Sequence, residues 1–335
     1  MTATMMDIAK DLKVSVVTVS KVLRNQGRIS AATRKRVLRR AKELNYQMNW
    51  VARSLVTRRT FTIGLLVPEF AHPFFAEIAR AVARTVRPHG YHVVISSFEE
   101  DPELEASEAD SLLARQVDGL IIASSQPRRV AMFRRLEERA TPFVLIDRPI
   151  SGVRTCFVGV DNHAIGKLAT EHLILKGCTR IGHLRGPAVQ FAEERVEGYR
   201  SALCDGGLRA SPRYIVAGGR DDTTGFAGMN KLLALRPLPD GVVCFNDLVA
   251  VGAIRAVLEA GLRLPGDIAM VGAGNVPYSD ALMVPLTTID QSTCKIGVLA
   301  AELLLARLAS KHSLPSKQIF IPPMLVERES TRRQL

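Results

Sequence analysis

Residues 6–30 read MDIAKDLKVSVVTVSKVLRNQGRIS, and their punctuation is that of short helices broken by tight turns. Thr4 is a capping residue ahead of Met5, Met6, Ile8, Ala9 and Leu12, with Asp7 at the positive end of this first helix. A break at Lys13 and Val14 precedes a second cap, Ser15, and a helix over Val16–Leu23. Val19, Val22 and Leu23 fall on one face of it, and Val16, Val17, Thr18, Ser20 and Lys21 on the other. Two exposed β-branched residues at the start of a helix are out of place on a solvated surface. They fit a recognition helix whose first turn meets base edges and thymine methyls in the major groove. Ser30 caps a third helix over 31–45, with Val37, Leu38, Ala41 and Leu44 inward and Arg34, Lys35, Arg36, Arg39, Arg40 and Lys42 outward. Few acids lie nearby to balance these six cations, so they read as phosphate contacts.

The charge of the whole chain is concentrated in this segment. Residues 1–60 hold 14 Lys and Arg against 3 Asp and Glu, while the remaining 275 hold 31 against 30, so almost all of the net +12 belongs to one N-terminal module. A basic block beside a neutral body implies a polyanion-binding head on a domain with a different task. The length of 335 residues exceeds what one hydrophobic core serves, so two or three domains are expected. Five cysteines (Cys156, Cys178, Cys204, Cys244 and Cys294) form no CxxC pair, which speaks against a disulfide framework and against a zinc site and points to free thiols in a reducing compartment. No signal-peptide pattern and no 18-residue apolar run is present, and a cytoplasmic location is the expectation.

At fixed spacing, residues 6–30 and the stretch TRKRVLRRAKELNYQMNWVARSL at 33–55 resemble the DNA-binding head of the lactose-repressor (LacI/GalR) family of bacterial transcription regulators. The matching positions include Asp7-Ile8-Ala9, Val14-Ser15, Thr18-Val19-Ser20, Val22-Leu23, Thr33-Arg34, Leu44-Asn45-Tyr46, Asn49, Ala52 and Ser54-Leu55. The resemblance implies contacts to double-stranded, roughly palindromic operator DNA from Thr4, Ser15, Val16, Val17, Thr18, Ser20, Lys21, Asn25, Ser30, Thr33 and Arg34. It further implies a hinge helix over 49–56 that forms in the minor groove, with Asn49, Ala52, Arg53 and a base-wedging Leu55. Eight residues are too few for a stable isolated helix, which fits folding on a partner. The chain departs from the family at Lys13, where Gly is usual, so a non-glycine residue is expected to accept a left-handed conformation at a cost of about 1 kcal/mol.

From residue 61 the pattern changes to short β runs (61–67, 92–96, 119–123, 143–146, 156–160, 180–184, 241–245, 268–272, 286–290) alternating with amphipathic helices (74–87, 104–115, 165–175, 196–202, 248–260, 294–308). This order implies parallel sheets covered by helices on both faces, repeated once. The expected architecture is an all-α helix-turn-helix head (1–48), a hinge (49–60) and an α/β body (61–335) of two doubly wound lobes. One lobe takes 61–157 and 292–320, the other 158–290 and 321–330, with a ligand cleft at the strand C-termini. The family resemblance continues through DGLII, EHLILKGCTRIGHLRGP, RVEGYRSAL, NDLVAVGAI and VPLTTIDQ, which look like an effector-binding core similar to periplasmic sugar-binding proteins.

By that resemblance the cleft is lined by His72, Phe74, Phe75, Asp147, Arg148, Phe191, Arg195, Arg220, Asn246, Asp247, Asn275 and Gln291. Asp247 is also a natural cap for the helix that follows it, and at least one of Phe74 and Phe75 is expected in the core. Ala273-Gly274-Asn275 lacks the aromatic and Asp usual after Val271-Gly272, and Arg220 replaces an aromatic platform. Both changes make the cleft more positive. With Arg195 and Arg220 converging near His72, an anionic effector (a sugar acid or phosphorylated sugar) is expected over a neutral sugar.

Two rival readings fit less well. Gly272-Ala273-Gly274 opens like a dinucleotide fingerprint, but Pro277 stands where its third glycine belongs, and no P-loop, GxSxG or HExxH motif occurs. A transport receptor of the same two-lobed shape has no use for residues 1–60. The sequence therefore predicts a non-enzymatic, effector-controlled transcriptional regulator, a repressor acting as a homodimer, with no cofactor, no metal and no membrane segment. No leucine heptad follows Leu308, so a C-terminal tetramerisation helix is not expected.

Overall fold

The computed structural model describes residues 3–23, 27–46, 54, 57, 59–126, 128, 130–310, 312 and 314–333. The chain divides into two compact units, 1–60 and 61–335. Asn25, Asn49, Ala52, Arg53 and Leu55 lie outside the described residues.

In the first unit, α1 (Met5–Leu12), α2 (Val16–Leu23) and α3 (Ala31–Glu43) close over Ile8, Ala9, Val19, Val22, Val37 and Ala41. Each helix starts on a side-chain cap. Thr4 and Asp7 form a capping box, the Ser15 hydroxyl accepts from the Thr18 N–H at 3.0 Å, and that of Ser30 accepts from the Thr33 N–H at 3.2 Å. Lys13 adopts the left-handed conformation (φ 53°, ψ 44°), and Val14 N–H reaches back to Ala9 O at 3.0 Å. The same Schellman geometry ends α3, with Asn45 at φ 46° and Tyr46 N–H on Ala41 O, so α3 stops at Glu43, two residues short of the sequence expectation.

Two expectations for α3 are corrected. Leu38 does not face inward: the stripe Val37–Ala41–Leu44 leaves it about 100° around the helix, and it is 49 % exposed. The basic face is also less free than its composition implies. Arg40 grips Asp11 at 2.7 Å and Glu43 at 3.0 Å, Arg39 lies 3.6 Å from Glu43, and Arg36 donates to Leu12 O at the end of α1. Some of these cations therefore join α3 to α1, leaving fewer for phosphates.

The second unit contains two six-stranded sheets. The first has the order β11-β5-β4-β3-β1-β2, with β1 (Thr62–Val67), β2 (His92–Ser97), β3 (Gly119–Ile122), β4 (Phe143–Ile146), β5 (Cys156–Val160) and β11 (Gln318–Ile321). The second has the order β12-β10-β9-β8-β6-β7, with β6 (Ile181–Arg185), β7 (Ile215–Ala217), β8 (Gly241–Cys244), β9 (Ala269–Ala273), β10 (Thr287–Asp290) and β12 (Met324–Val326). All pairings are parallel except β10 with β12. Helices cover both faces, and the central strands are buried along their length: every residue of Gly119–Ile122, Phe143–Ile146 and Gly241–Cys244 is buried.

The chain passes between lobes three times: after Val160, between Asp290 and Thr293, and between Ile321 and Met324. The sequence divisions at 157/158 and 320/321 thus move outward, because strand pairing carries Val158–Val160 and Ile321 with the first sheet. Three strands (β7, β11, β12) and two helices (Ala131–Glu138, Asp222–Leu233) add to those expected.

The left-handed Lys13 is the one conformational cost at the helix-turn-helix corner that a single change removes. Lys13→Gly is expected to stabilise the head by about 1 kcal/mol. Slower hydrogen exchange at the α1 and α3 amides checks this, and unchanged or faster exchange contradicts it.

Candidate functional site

The cleft opens at the C-terminal ends of the strands, between the two lobes of the second unit. It is lined by His72, Phe74, Phe75, Asp147, Arg148, Phe191, Arg195, Arg220, Asn246, Asp247 and Gln291, together with Glu69, Glu100 and Phe245, which sequence reasoning did not single out.

Arg195 is the best-anchored cation of the cleft. It is buried, and donates from Nε to Asn162 Oδ1 (3.0 Å), from Nη1 to Phe245 O (2.6 Å) and from Nη2 to Gln291 Oε1 (3.4 Å). Asn162 follows the first passage between lobes and Gln291 lies on the second, so one guanidinium ties both passages together. Its backbone position is set by a close crossing of the helices Asn162–Leu175 and Gln190–Asp205. A Cβ on Gly166 would stand 1.9 Å from Arg195 O. Burial pulls the Arg195 pKa down to about 10, with Asp147 and Asp247 opposing the shift, and the side chain stays cationic at neutral pH.

His72 caps the helix Pro73–Val86 by accepting from the Phe74 N–H on Nδ1 at 3.2 Å, so this nitrogen carries no proton and Nε2–H is the donor. Burial lowers its pKa; Arg220 and Arg195 add to the shift and Glu69 opposes it. Phe74 and Phe75 are both buried in the first-lobe core, edge to face at 5.0 Å, and both also form the cleft wall. Phe191 and Phe245, 5.8 Å apart, form the facing wall.

Asn246 and Asp247 exchange the roles expected of them. Asn246 caps the helix Asp247–Glu259 by accepting from Val249 N–H at 2.8 Å, and its amide donates to Arg220 O at 3.0 Å. Asp247 instead turns under the cleft floor and accepts from Thr288 Oγ1 (2.6 Å), Val276 N–H (2.9 Å) and Ser279 Oγ (3.1 Å). Burial raises its pKa and those hydrogen bonds oppose the shift. The glycine pair that resembled a nucleotide fingerprint makes room for this carboxylate: a Cβ on Gly272 would lie 2.3 Å from Asp247 Oδ1. An acid stands where a pyrophosphate would have to approach.

Asn275 is not part of the cleft lining. Its amide donates to Asp290 Oδ2 (3.0 Å) and its oxygen accepts from Arg328 (2.7 Å), which ties it to the second passage between lobes.

Of the two converging cations expected from sequence, Arg195 and Arg220, both line the cleft, but Arg220 is not free: it pairs with Glu100, whereas the hydrogen-bond partners of Arg195 are neutral. Arg148 is held bidentately by Glu100 (2.6 and 2.9 Å) and by Asp147 through Nε (3.2 Å), and it lies over the Phe191 ring at 4.5 Å. Arg220, from the opposite lobe, reaches the same Glu100 carboxylate at 3.2 Å. Burial works against the charge on Glu100, but the hydrogen bonds and charges of Arg148 and Arg220 outweigh it and hold its pKa below the ordinary value. Asp147 is shifted the other way, burial raising its pKa against the pull of Arg148 and Arg195. Arg148, Arg195 and Arg220 therefore face Glu69, Glu100, Asp147 and Asp247, and the cleft carries no positive excess. The sequence signal for Glu100 was faint: an acidic turn, Phe98-Glu99-Glu100-Asp101, at the C-terminal end of a strand.

In the head, Val16 (40 %) and Val17 (62 %) are exposed on the first turn of α2, beside an exposed Lys21 and half-buried Thr18 and Ser20. Thr4, Ser15 and Ser30 spend their hydroxyls on caps and the Thr33 hydroxyl accepts from that of Ser30, which leaves α2 to present the valines. Arg34 is half-buried on α3.

Known proteins match along the whole chain. Residues 4–49 fit the family described as bacterial regulatory proteins, lacI family, and residues 60–329 the family described as periplasmic binding proteins and sugar binding domain of LacI family. The chain belongs to the LacI family. A ribose operon repressor of Halalkalibacterium halodurans is 36% identical over 330 residues, 98% of this chain and 97% of that protein. The HTH-type transcriptional repressor PurR of Aliivibrio salmonicida is 33% identical, covering 99% of each. Among solved structures, the lac repressor dimer bound to operator and the anti-inducer ONPF superposes with a TM-score of 0.84 at 28% identity, covering 99% of each chain. A CelR–cellobiose complex gives 0.74 at 30%, covering 98% of this chain and 99% of that one.

As a LacI-family member, the protein is an effector-controlled, DNA-binding transcriptional repressor. Its α/β body is the ligand-binding part and its helix-turn-helix the DNA-binding part. Among the described residues no helix is long and apolar enough to cross a membrane, and no cluster of acids, histidines and thiols is placed to hold a metal.

The body also carries a pH-sensitive load. His183 on β6 is buried edge-on to Tyr199 (5.1 Å), and neither ring nitrogen meets a hydrogen-bond partner among the described residues. Burial, with Arg195, Arg200 and Arg185 behind it, pushes its pKa down to about 3. The folded state therefore refuses a proton that the unfolded chain takes up near 6.5. Stability from this group is complete above about 6.5 and is lost as pH falls toward 3, at about 1.4 kcal/mol per unit. Urea unfolding at pH 5 is expected to show about 2 kcal/mol less stability from this group than at pH 7.5, and His183→Leu to shrink that difference. Equal pH dependence in parent and variant contradicts the assignment.

Proposed function

We propose that the effector is a small, neutral, polyhydroxylated molecule of the sugar class, and that its binding in the cleft controls the grip of a homodimer on a two-fold operator. The observation that carries the ligand class is the engagement of both Arg148 and Arg220 by Glu100 between aromatic walls. An anion entering such a cleft finds Arg148 and Arg220 already paired. A sugar ring offers C–H faces to Phe74, Phe75 and Phe191, and hydroxyls to Asp147, Gln291 and the Nε2–H of His72. Relatives named for ribose, and a structural neighbour holding cellobiose, support the same class. This reading replaces the anionic effector expected from sequence. Arg195 remains a ligand contact in it through N–H groups that its three anchors leave over. No catalytic role is assigned to any residue of the cleft.

Calorimetry of the full-length protein against pentoses and hexoses and their acid and phosphate derivatives tests the ligand class. The neutral compound is expected to bind at least tenfold more tightly than its charged counterpart, and the reverse order overturns the proposal.

For the DNA side, family membership and the exposed Val16 and Val17 support one recognition helix per half-site, the half-sites lying about one turn of DNA apart. Replacing both valines is expected to change base preference more than nonspecific affinity, because apolar groove contacts specify whereas phosphate contacts position. Footprinting checks this. Protection of a single half-site speaks against the dimer, and unchanged preference speaks against the valines. The roles that the family resemblance gives Asn25, Asn49, Ala52, Arg53 and Leu55 stand as part of this proposal. Leu55→Ala is expected to reduce DNA bending in circular-permutation gels, and an unchanged bend rejects the wedge.

A further inference from the structure

We propose that Glu100 is the specificity-determining residue of the cleft: its carboxylate occupies an anion seat built by Arg148 and Arg220 and so closes that seat to anionic ligands. The proposal rests on the reading of the cleft as the effector site and says how that site chooses.

Glu100 is held as a bound anion would be. Two parallel hydrogen bonds from the Arg148 fork, at 2.6 and 2.9 Å, meet its two oxygens, and Arg220 closes on one of them at 3.2 Å from the other lobe. This is the planar, bidentate geometry by which arginine receives carboxylates and phosphates. Asp147 Oδ2 takes the Nε–H of Arg148 at 3.2 Å, so a second carboxylate holds the fork in the orientation that meets Glu100.

The backbone commits Glu100 to this place. Glu99 (φ 52°) and Glu100 (φ 60°) are consecutive non-glycine residues in the left-handed region, a conformation that persists where the surroundings impose it and that gathers at ligand sites. Glu99 N–H on Pro68 O and Asp101 N–H on Phe98 O, both 2.8 Å, clamp the turn from either side, and Asp101 caps the helix Pro102–Ala114. A carboxylate tethered this way competes at a high effective concentration, so a free anion must displace it, whereas a neutral ligand can bind beside it.

The test uses the full-length protein and inorganic phosphate, compared with chloride at equal ionic strength, in thermal-shift and calorimetric titrations. The parent is expected to show only the response of its basic head. Glu100→Gln, nearly equal in shape, is expected to bind phosphate at least tenfold more tightly than the parent. Adding Arg220→Gln to Glu100→Gln is expected to abolish the gain, and this double variant also subtracts anion uptake by the head. Glu100→Ser serves as a second variant should the Gln variant not fold.

If the folded Gln and Ser variants take up phosphate no better than the parent, the proposal is overturned. It is equally overturned if the gain survives the loss of Arg220. The two readings fail separately. A phosphate gain with no neutral sugar bound by the parent removes the proposed ligand class and keeps the role of Glu100. A bound neutral sugar with no phosphate gain does the opposite.

Discussion

A guanidinium taken out of water is costly unless nearly every N–H finds a partner. Arg195 meets part of that demand with three of its five N–H groups, drawing together Asn162, Phe245 and Gln291, which belong to the two inter-lobe passages and to the end of a strand. Much of the cleft geometry follows from this. The helix that carries Arg195 can approach because Gly166 and Gly198, one on each helix, let the two backbones come close. The same guanidinium lies 4.8 Å over the Phe245 ring and helps to depress the pKa values of His72 and His183. Arg195 therefore joins the second-lobe ends of the first two passages to the cleft wall.

Around that centre the polar groups are arranged in closed pairs. Asn246 steadies the backbone of Arg220, Asp247 knits the floor loop, and Asn275 ties Asp290 to Arg328. A site whose polar groups are held this closely selects by hydroxyl geometry as well as by charge, since each buried donor or acceptor left unpaired by a wrong ligand costs about 1–3 kcal/mol.

What could be read from the sequence was what depends on neighbours in the chain. Thr4, Ser15 and Ser30 cap the helices they precede, and Lys13 takes the left-handed turn, because those outcomes are settled within a few residues. β4 and β5 stood out as unbroken apolar runs. The strands that were missed have three or four residues and sit at sheet edges, where half-exposed side chains leave no clear period. The cleft residues matched the family pattern position by position, but their pairing could not be seen. Glu100 and Arg148 are 48 residues apart, and only the assembled lobes bring Arg220 to them. The expected surplus of positive charge came from counting cations without the acid that tertiary structure delivers. Leu38 was misassigned for a simpler reason: one residue of rotation on a helix is enough to move a side chain from core to solvent.

The interleaving of the two lobes has a consequence for how the chain is made. The first sheet draws β11 from residues 318–321 and buries the helix Thr293–Ala309 against a core that begins at residue 63. The three helices of the head, in contrast, are complete by residue 43. During synthesis the head can fold as soon as it leaves the ribosome, whereas the first lobe must wait for almost the whole polypeptide, and pairings of such long sequence separation form slowly. For part of its early life each molecule carries a finished DNA-reading module on an unfinished body. Assembly of the control domain is therefore the slow event, and it is the stage most exposed to proteases and chaperones.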